Sequence, residues 1–339
     1  MRKIYPTLRD VARLANVSVS TVSRVLSKHP DVSEKTRNKV LKVVEEIGYQ
    51  PSMIAKGLVS GKSKSIGLLV SDVVNPFYPQ LIRSVEEVAS KAGYVVFLGN
   101  TYDDPARSRK YMERFIRQGV DGIIHASVYG ITDLLQDLRN QKFPLVLINR
   151  RDRNLKGITT IVFDSYKSAQ IATKHLLTLG HRLIALIIGP LFISTEQDRL
   201  LGYREEITRN GIAVREDWII VSETSRAAGY KIGRELLRQP QRPTAIIAND
   251  IVAYGVIDAA CEMSMNIPGD LSVVGFGVVE HSNLGSKEIS SISSRISEMG
   301  KLGCQKLIDM IENRSYTPTE ITLDVEFVDR GSTAPPSLL

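Results

Sequence analysis

The sequence predicts an all-α head of three short helices followed by an α/β body of two doubly wound parallel-sheet lobes. Three observations predict it. Residues 1–62 hold 12 of the 44 Lys and Arg but only 5 of the 37 Asp and Glu, so the whole net charge of +7 sits in the first fifth of the chain. The remainder carries 32 residues of each sign. Within the head, apolar residues recur at helical spacing behind hydroxyl or acidic caps. From Ser65 onward, short apolar runs alternate with amphipathic stretches, the pattern of parallel strands with covering helices. The bounds expected are 1–50 for the head, 51–63 for a hinge and 64–339 for the body.

The first helix is signalled by "TLRDVARLA". Thr7 can cap the first free amides, and Asp10 favours the positive helix end. Leu8, Val11, Ala12 and Ala15 then share a face. "Asn16-Val17-Ser18" makes a turn, and Ser18 can cap a second helix that buries Val22, Val25 and Leu26. Its outward face is Ser20, Thr21, Ser23 and Arg24. A third helix starts at Ser33, buries Thr36, Val40, Val43, Val44 and Ile47, and stops at Gly48. Two helices joined by a tight turn and braced by a third form a helix-turn-helix, whose second helix enters the DNA major groove. Arg24 suits a guanine edge or a phosphate. The basic head on a neutral body fits a nucleic-acid partner.

The segment "TLRDVARLANVSVSTVSRVLS" together with "VSEKTRNKVLKVVEEIGYQPSMIAKGL" resembles the lactose-repressor family of bacterial transcription regulators, across residues 7–58, and the body follows the same pattern. The resemblance implies a periplasmic-binding-protein-like body. It implies DNA contacts at Thr7, Ser18, Val19, Ser20, Thr21, Ser23, Arg24, Tyr49, Ser52, Ala55 and Leu58. Val19 and Ser20 open the readout helix, and Val19 suits a thymine methyl group. Within the hinge "PSMIAKGLVSGK", the nine residues Ser52–Ser60 fall short of the roughly 12–15 an isolated helix needs. It is expected to fold on binding, with Leu58 as a minor-groove wedge.

In the body, "SIGLLVS", "YVVFLGN", "VDGIIHAS", "FPLVLIN" and "TTIVFD" read as the strands of one lobe. "RLIALIIG", "DWIIVS", "TAIIAND" and "LSVVGFG" read as those of a second. By resemblance the chain crosses between lobes near Asp164, Ile292 and Asp324. That divides the body into 64–163 with 293–323, and 164–292 with 324–339. A helix over Ser297–Asn313 is assigned to the first lobe and a strand over Leu323–Val328 to the second.

Ligands of open α/β sheets bind beyond the carboxyl ends of the strands, here in the cleft between lobes. The polar residues at strand ends are Ser71, Asp72, Asn149, Arg150, Asp164 and Asn249, all but Arg150 and Asp164 expected at the cleft; the resemblance implies ligand contacts at Arg199 and Asn249, and Phe77, Phe163 and Gly277 are also expected there. Arg199 and Asn249 each have a structural alternative: pairing with a helix acid, and capping the following helix. Where relatives carry an acceptor aspartate after "LSVVGF", this chain has Gly277, and Thr224 stands where they often have an aromatic. The effector is therefore left open between a sugar-like molecule, another metabolite and a phosphorylated carrier protein.

No enzyme is expected. "GFGVVE" lacks the third small residue of a dinucleotide loop, no Gly-x-Ser-x-Gly elbow or phosphate-cradling Gly-x4-Gly-Lys occurs, and His175 and His181 lack a third ligand at metal spacing. The rival reading is a small-molecule binding module or carbohydrate enzyme with a vestigial head. No cofactor and no membrane span are expected. Two cysteines, Cys261 and Cys304, and no export signal fit a cytoplasmic location. "VDRGSTAPPSLL" holds no heptads, so a homodimer on a near-palindromic operator is expected rather than a tetramer.

Overall fold

The computed structural model describes residues 6–27, 29–49, 62–277, 288–313 and 317–337. The chain separates into two compact units, residues 1–64 and 65–339.

The head holds α1 (Leu8–Leu14), α2 (Val19–Leu26) and α3 (Glu34–Glu46). Thr7 and Asp10 form a reciprocal capping box: Thr7 Oγ1 accepts from the Asp10 amide, and the Asp10 carboxylate accepts from the Thr7 amide at 2.9 Å. Asn16 takes a left-handed φ of +45° in the turn, a conformation Asn tolerates better than most residues. Ser18 then accepts from the Thr21 amide at 3.1 Å. Val11, Ala12, Ala15, Val22, Val25 and Val40 close a small core. Arg37 donates to the His29 carbonyl at 2.8 Å and ties α3 to the loop before it. Gly48, at φ +62°, ends the third helix. Thr36, expected in the core, is only half-buried because its hydroxyl pairs with the Ser33 cap.

The body contains two six-stranded sheets. The first lobe runs β1 (Ser65–Val70), α4 (Phe77–Lys91), β2 (Val95–Asn100), α5 (Pro105–Arg117), β3 (Gly122–His125), α6 (Thr132–Asn140), β4 (Leu145–Ile148) and β5 (Thr159–Phe163). The second runs α7 (Ser165–Thr178), β6 (Ile184–Ile188), α8 (Ser194–Arg209), β7 (Ile219–Val221), α9 (Arg226–Leu237), β8 (Ala245–Asn249), α10 (Asp250–Glu262), β9 (Ser272–Phe276) and β10 (Ser290–Ser294). The chain then returns with α11 (Ile296–Glu312) and β11 (Glu320–Leu323), and crosses again with β12 (Val325–Val328).

The first sheet has the order β11-β5-β4-β3-β1-β2 and is parallel throughout. The second has the order β12-β10-β9-β8-β6-β7, with only β12 antiparallel. The middle strands are apolar and buried along their length, as sheets covered on both faces require.

Three expectations are corrected. The strand expected over Leu323–Val328 begins only at Val325 as β12 of the second sheet, while Leu323 ends a separate strand, β11, which completes the first sheet through β5. The polar Asp324 between them is where the chain changes lobe. The second crossing lies at Arg295 rather than near Ile292, because β10 stays paired with β12 to Ser294. In "DWIIVS" the strand begins only at Ile219. Glu216–Trp218 form a 3-10 turn that buries Trp218, whose indole N–H donates to Gln239 at 3.0 Å.

Candidate functional site

On the head, the exposed end of α2 presents Val19, Ser20 and Arg24, while Thr21 and Ser23 are half-buried. Val19 is 42% exposed at the first helical position of α2. Ser18 is already engaged: its hydroxyl caps α2 and lies 2.7 and 2.8 Å from the hydroxyls of Ser20 and Thr21. This network orients Ser20 and Thr21. Two residues expected at DNA also have structural work. The Thr7 hydroxyl donates to Asp10 at 2.7 Å, a bond that holds the Asp10 carboxyl below its usual range. Tyr49 is only 8% exposed within the head core, because its aromatic ring completes that small apolar cluster. Ser52, Ala55 and Leu58 lie outside the described residues.

In the body, all eight residues expected at the cleft line one cavity of about 520 Å³ between the two lobes. Strand ends place them. Asn149 leaves β4 at φ +68°, with its amide donating to the Ile161 carbonyl at 2.9 Å. That turn brings Arg150 inward. Beyond β2, Tyr102 and Asp103 take consecutive left-handed conformations, φ +53° and +56°. Strain of this kind gathers at functional sites. Here it carries the Asp103 carboxylate to Arg150, which donates at 2.5 and 3.3 Å in a two-pronged pair. Arg150 is buried, and beside it burial raises the Tyr78 hydroxyl above its ordinary value.

From the second lobe, Arg199 on α8 donates through Nη1 to Glu196 at 2.6 Å and to Asn249 Oδ1 at 2.7 Å. Its guanidinium lies 4.5 Å from the centre of the Phe276 ring, and its buried Nε has no hydrogen-bond partner among the described residues. Glu196 is buried and also accepts from the Gly189 amide at 3.1 Å. Asn249 stands at the N-cap of α10, yet its side chain makes no capping bond and accepts from Arg199 instead. The capping alternative for Asn249 is therefore set aside. The acid-pair alternative for Arg199 holds alongside its place in the cavity wall.

Gly277 adopts φ +110°, and nothing but Asp250 Oδ2, at 3.9 Å, lies near the place of a Cβ there. A Cβ on Gly275 would fall 1.9 Å from Asp250 Oδ1. The end of β9 thus omits side chains where the carboxylate of Asp250, the first residue of α10, occupies the space. Asp250 also accepts from the Ser291 hydroxyl at 2.9 Å. Sequence reading missed Asp250, Asp103 and Glu196 as cavity residues. An acid directly after Asn249, at the start of the next helix, was the available signal.

Across the cavity mouth the lobes touch. Arg151 donates to Asp198 at 3.0 Å and Arg153 pairs with the same carboxylate, while the Arg151 amide donates to Ser194 at 3.2 Å. Tyr129 and Phe192 stack at 4.1 Å. The imidazoles of His175 and His181 pin the C-terminal segment. His175 contacts Thr333 and stacks on Phe327, and His181 contacts Thr244, Ser272 and the Ala334 carbonyl.

The chain was compared with known proteins. Residues 7–52 match the bacterial regulatory proteins of the lacI family, and residues 173–333 match a periplasmic binding protein-like domain. The "HTH-type transcriptional repressor PurR" of Klebsiella pneumoniae (strain 342) is 32% identical over 332 residues, 97% of each chain. That of Escherichia coli O139:H28 is 31% identical over the same share. Among solved structures, the lac repressor dimer bound to operator and the anti-inducer ONPF superposes with a TM-score of 0.85. It is 26% identical, covering 97% of this chain and 99% of that one. The transcriptional regulator CelR in complex with cellobiose gives 0.71 at 26% identity, covering 96% and 99%. A regulator from Enterococcus faecium with bound ribose gives 0.72 at 28%, covering 80% and 100%. With a relative 32% identical along nearly its entire length, this chain belongs to the lacI family of bacterial regulatory proteins.

Proposed function

We propose that this protein represses transcription as a homodimer on a near-palindromic operator, and that a small molecule in the inter-lobe cavity sets its affinity for DNA. The observation that carries this reading is the pairing of two features in one chain. One is the exposed polar face of α2 on a basic head. The other is a 520 Å³ polar cavity closed by two lobes, a volume that fits a small ligand. Relatives described as a repressor, as an operator complex and as sugar complexes support it. Two-fold symmetry of the dimer would impose two half-sites on the DNA. Exposed Val95, Phe97 and Leu98 on β2, an edge strand, support a partner surface beside α4. Most of α10 is buried within its own lobe. Among the described residues no helix is long and apolar enough to cross a membrane, and a DNA-binding regulator is expected in the cytoplasm.

A mobility-shift assay with the protein's own promoter region tests this. Binding should be specific and should weaken steeply with salt, because phosphate contacts release counterions. Salt-insensitive binding, or none at low salt, overturns the reading. Removing residues 1–62 separates it from the rival of a bare binding module. Loss of the head should abolish regulation and leave ligand binding intact.

A further inference from the structure

In the first sheet, α4, α5 and α6 make the crossovers that join β1 to β4. The connection from β4 to β5, residues 149–158, carries no helix. It runs as a strap along the boundary between the lobes, and its side chains turn to the two sides alternately. Arg150 is held by Asp103 and Asp152 by Thr132, both of the first lobe. Arg151 and Arg153 reach Asp198 of the second. The strap is thus pinned to the first lobe on both sides of Arg151, and Arg151 cannot follow α8 when the lobes part. Opposite it, Ser194 and Asp198 lie four residues apart on one face of α8 and accept from the Arg151 amide and guanidinium respectively. Arg151 also has a second acid within reach. Its Nη1 lies 3.5 Å from Glu320 of β11 in its own lobe, and its Nη2 3.0 Å from Asp198. The Glu320 side chain is 62% exposed whereas Asp198 is buried, so water screens the first pair far more and the bond across the boundary is the stronger.

We propose that Arg151 is a two-position switch at the lobe boundary. Paired with Asp198 it holds the lobes together; paired with Glu320 it lets them part without leaving its guanidinium unpaired. Glu320 therefore lowers the cost of opening, and Arg153 strengthens the closed side alone. The consequence for regulation rests on the effector reading above: Arg199 of the cavity wall is the next residue after Asp198 on α8, so binding in the cavity and the choice made by Arg151 bias one another.

Hydrogen exchange of the full-length protein, read by mass spectrometry without added ligand, tests this, because the Arg151 amide is itself bonded across the boundary. Asp198→Asn should speed exchange of peptides covering 149–156 and 192–199 about fivefold or more, as loss of a charged partner implies. Glu320→Gln should slow the same peptides about twofold, the size of an exposed ion pair. Peptides of the central strands should be unchanged in both variants. Opposite signs mark a switch, whereas two contacts that merely stabilise the fold give the same sign. Exchange that is not slowed in Glu320→Gln, or not speeded in Asp198→Asn, overturns the proposal. Should Asp198→Asn fail to fold, Arg153→Gln takes its place with the same expected sign and the same criterion. Failure of the parent protein to bind its promoter region sinks the regulatory reading alone, since the exchange result depends on neither DNA nor ligand.

Discussion

His125 lies at the end of β3, fully buried, with Nδ1 accepting from the Ser127 amide at 3.2 Å and Nε2 without a partner. Burial, and secondarily the Arg150 charge, pushes its pKa down to about 3 from 6.5. The folded-state value thus lies below the unfolded one, so unfolding takes up a proton between the two. This stabilisation is complete above pH 6.5 and is lost as pH falls toward 3. His125→Asn keeps an acceptor for the Ser127 amide but does not titrate. Its denaturant midpoint should therefore fall less steeply with acid than that of the parent, as melts at several pH values would show. Cavity residues set the limit of legibility at this scale. Arg199 and Asn249 were expected at the cleft from the family resemblance, each with a structural alternative, and both line the cavity. Asp103 and Asp250 were not, since their roles depend on left-handed turns and on a neighbouring strand's missing side chains.

Between elements, glycines set the closest approaches. A Cβ on Gly229 would fall 2.1 Å from the Val252 carbonyl oxygen, and one on Gly255 2.0 Å from that of Arg226. Helices α9 and α10 therefore touch backbone to backbone. Gly255→Ala should destabilise the body by about 1–3 kcal/mol, read from urea unfolding, since overpacking at a rigid contact has no side chain to yield. On the head, Val19→Ser removes the apolar contact offered to a base edge. It should relax preference at one operator position, measurable with a panel of singly substituted sites, at about 1–3 kcal/mol for the favoured base. In the hinge, Leu58→Ala should weaken specific binding far more than non-specific binding, and equal losses would remove the wedge role. Helices and parallel strands were legible from periodicity and caps. The crossing near Asp324 came from the family resemblance alone, and the separate strand β11 ending at Leu323 was not legible, because two short β-rich segments in sequence look like one continuous strand.

At the scale of the molecule, the contacts across the cavity mouth bear on regulation. Asp198 is 9% exposed and holds two guanidiniums from the opposite lobe. Asp198→Asn should favour open lobes and so change the ligand concentration needed for half-response in the DNA assay, with little effect on DNA affinity of an isolated head. Ligand can shift such an equilibrium only by its differential affinity for the two arrangements.

The order in which the lobes are completed has a further consequence, for synthesis. The first lobe needs α11, whose Gly300 sits against Ser84 of α4, and β11, which closes the sheet on β5. The second needs β12 and the segment that His181 and Ser332 fasten to β9. Neither can finish before the ribosome has delivered residues 320–334, whereas the head's helices close a core of their own and can form as soon as they emerge. A nascent chain stalled near residue 290 should therefore carry a folded head and protease-sensitive lobes, so that recognition of DNA matures before its control does.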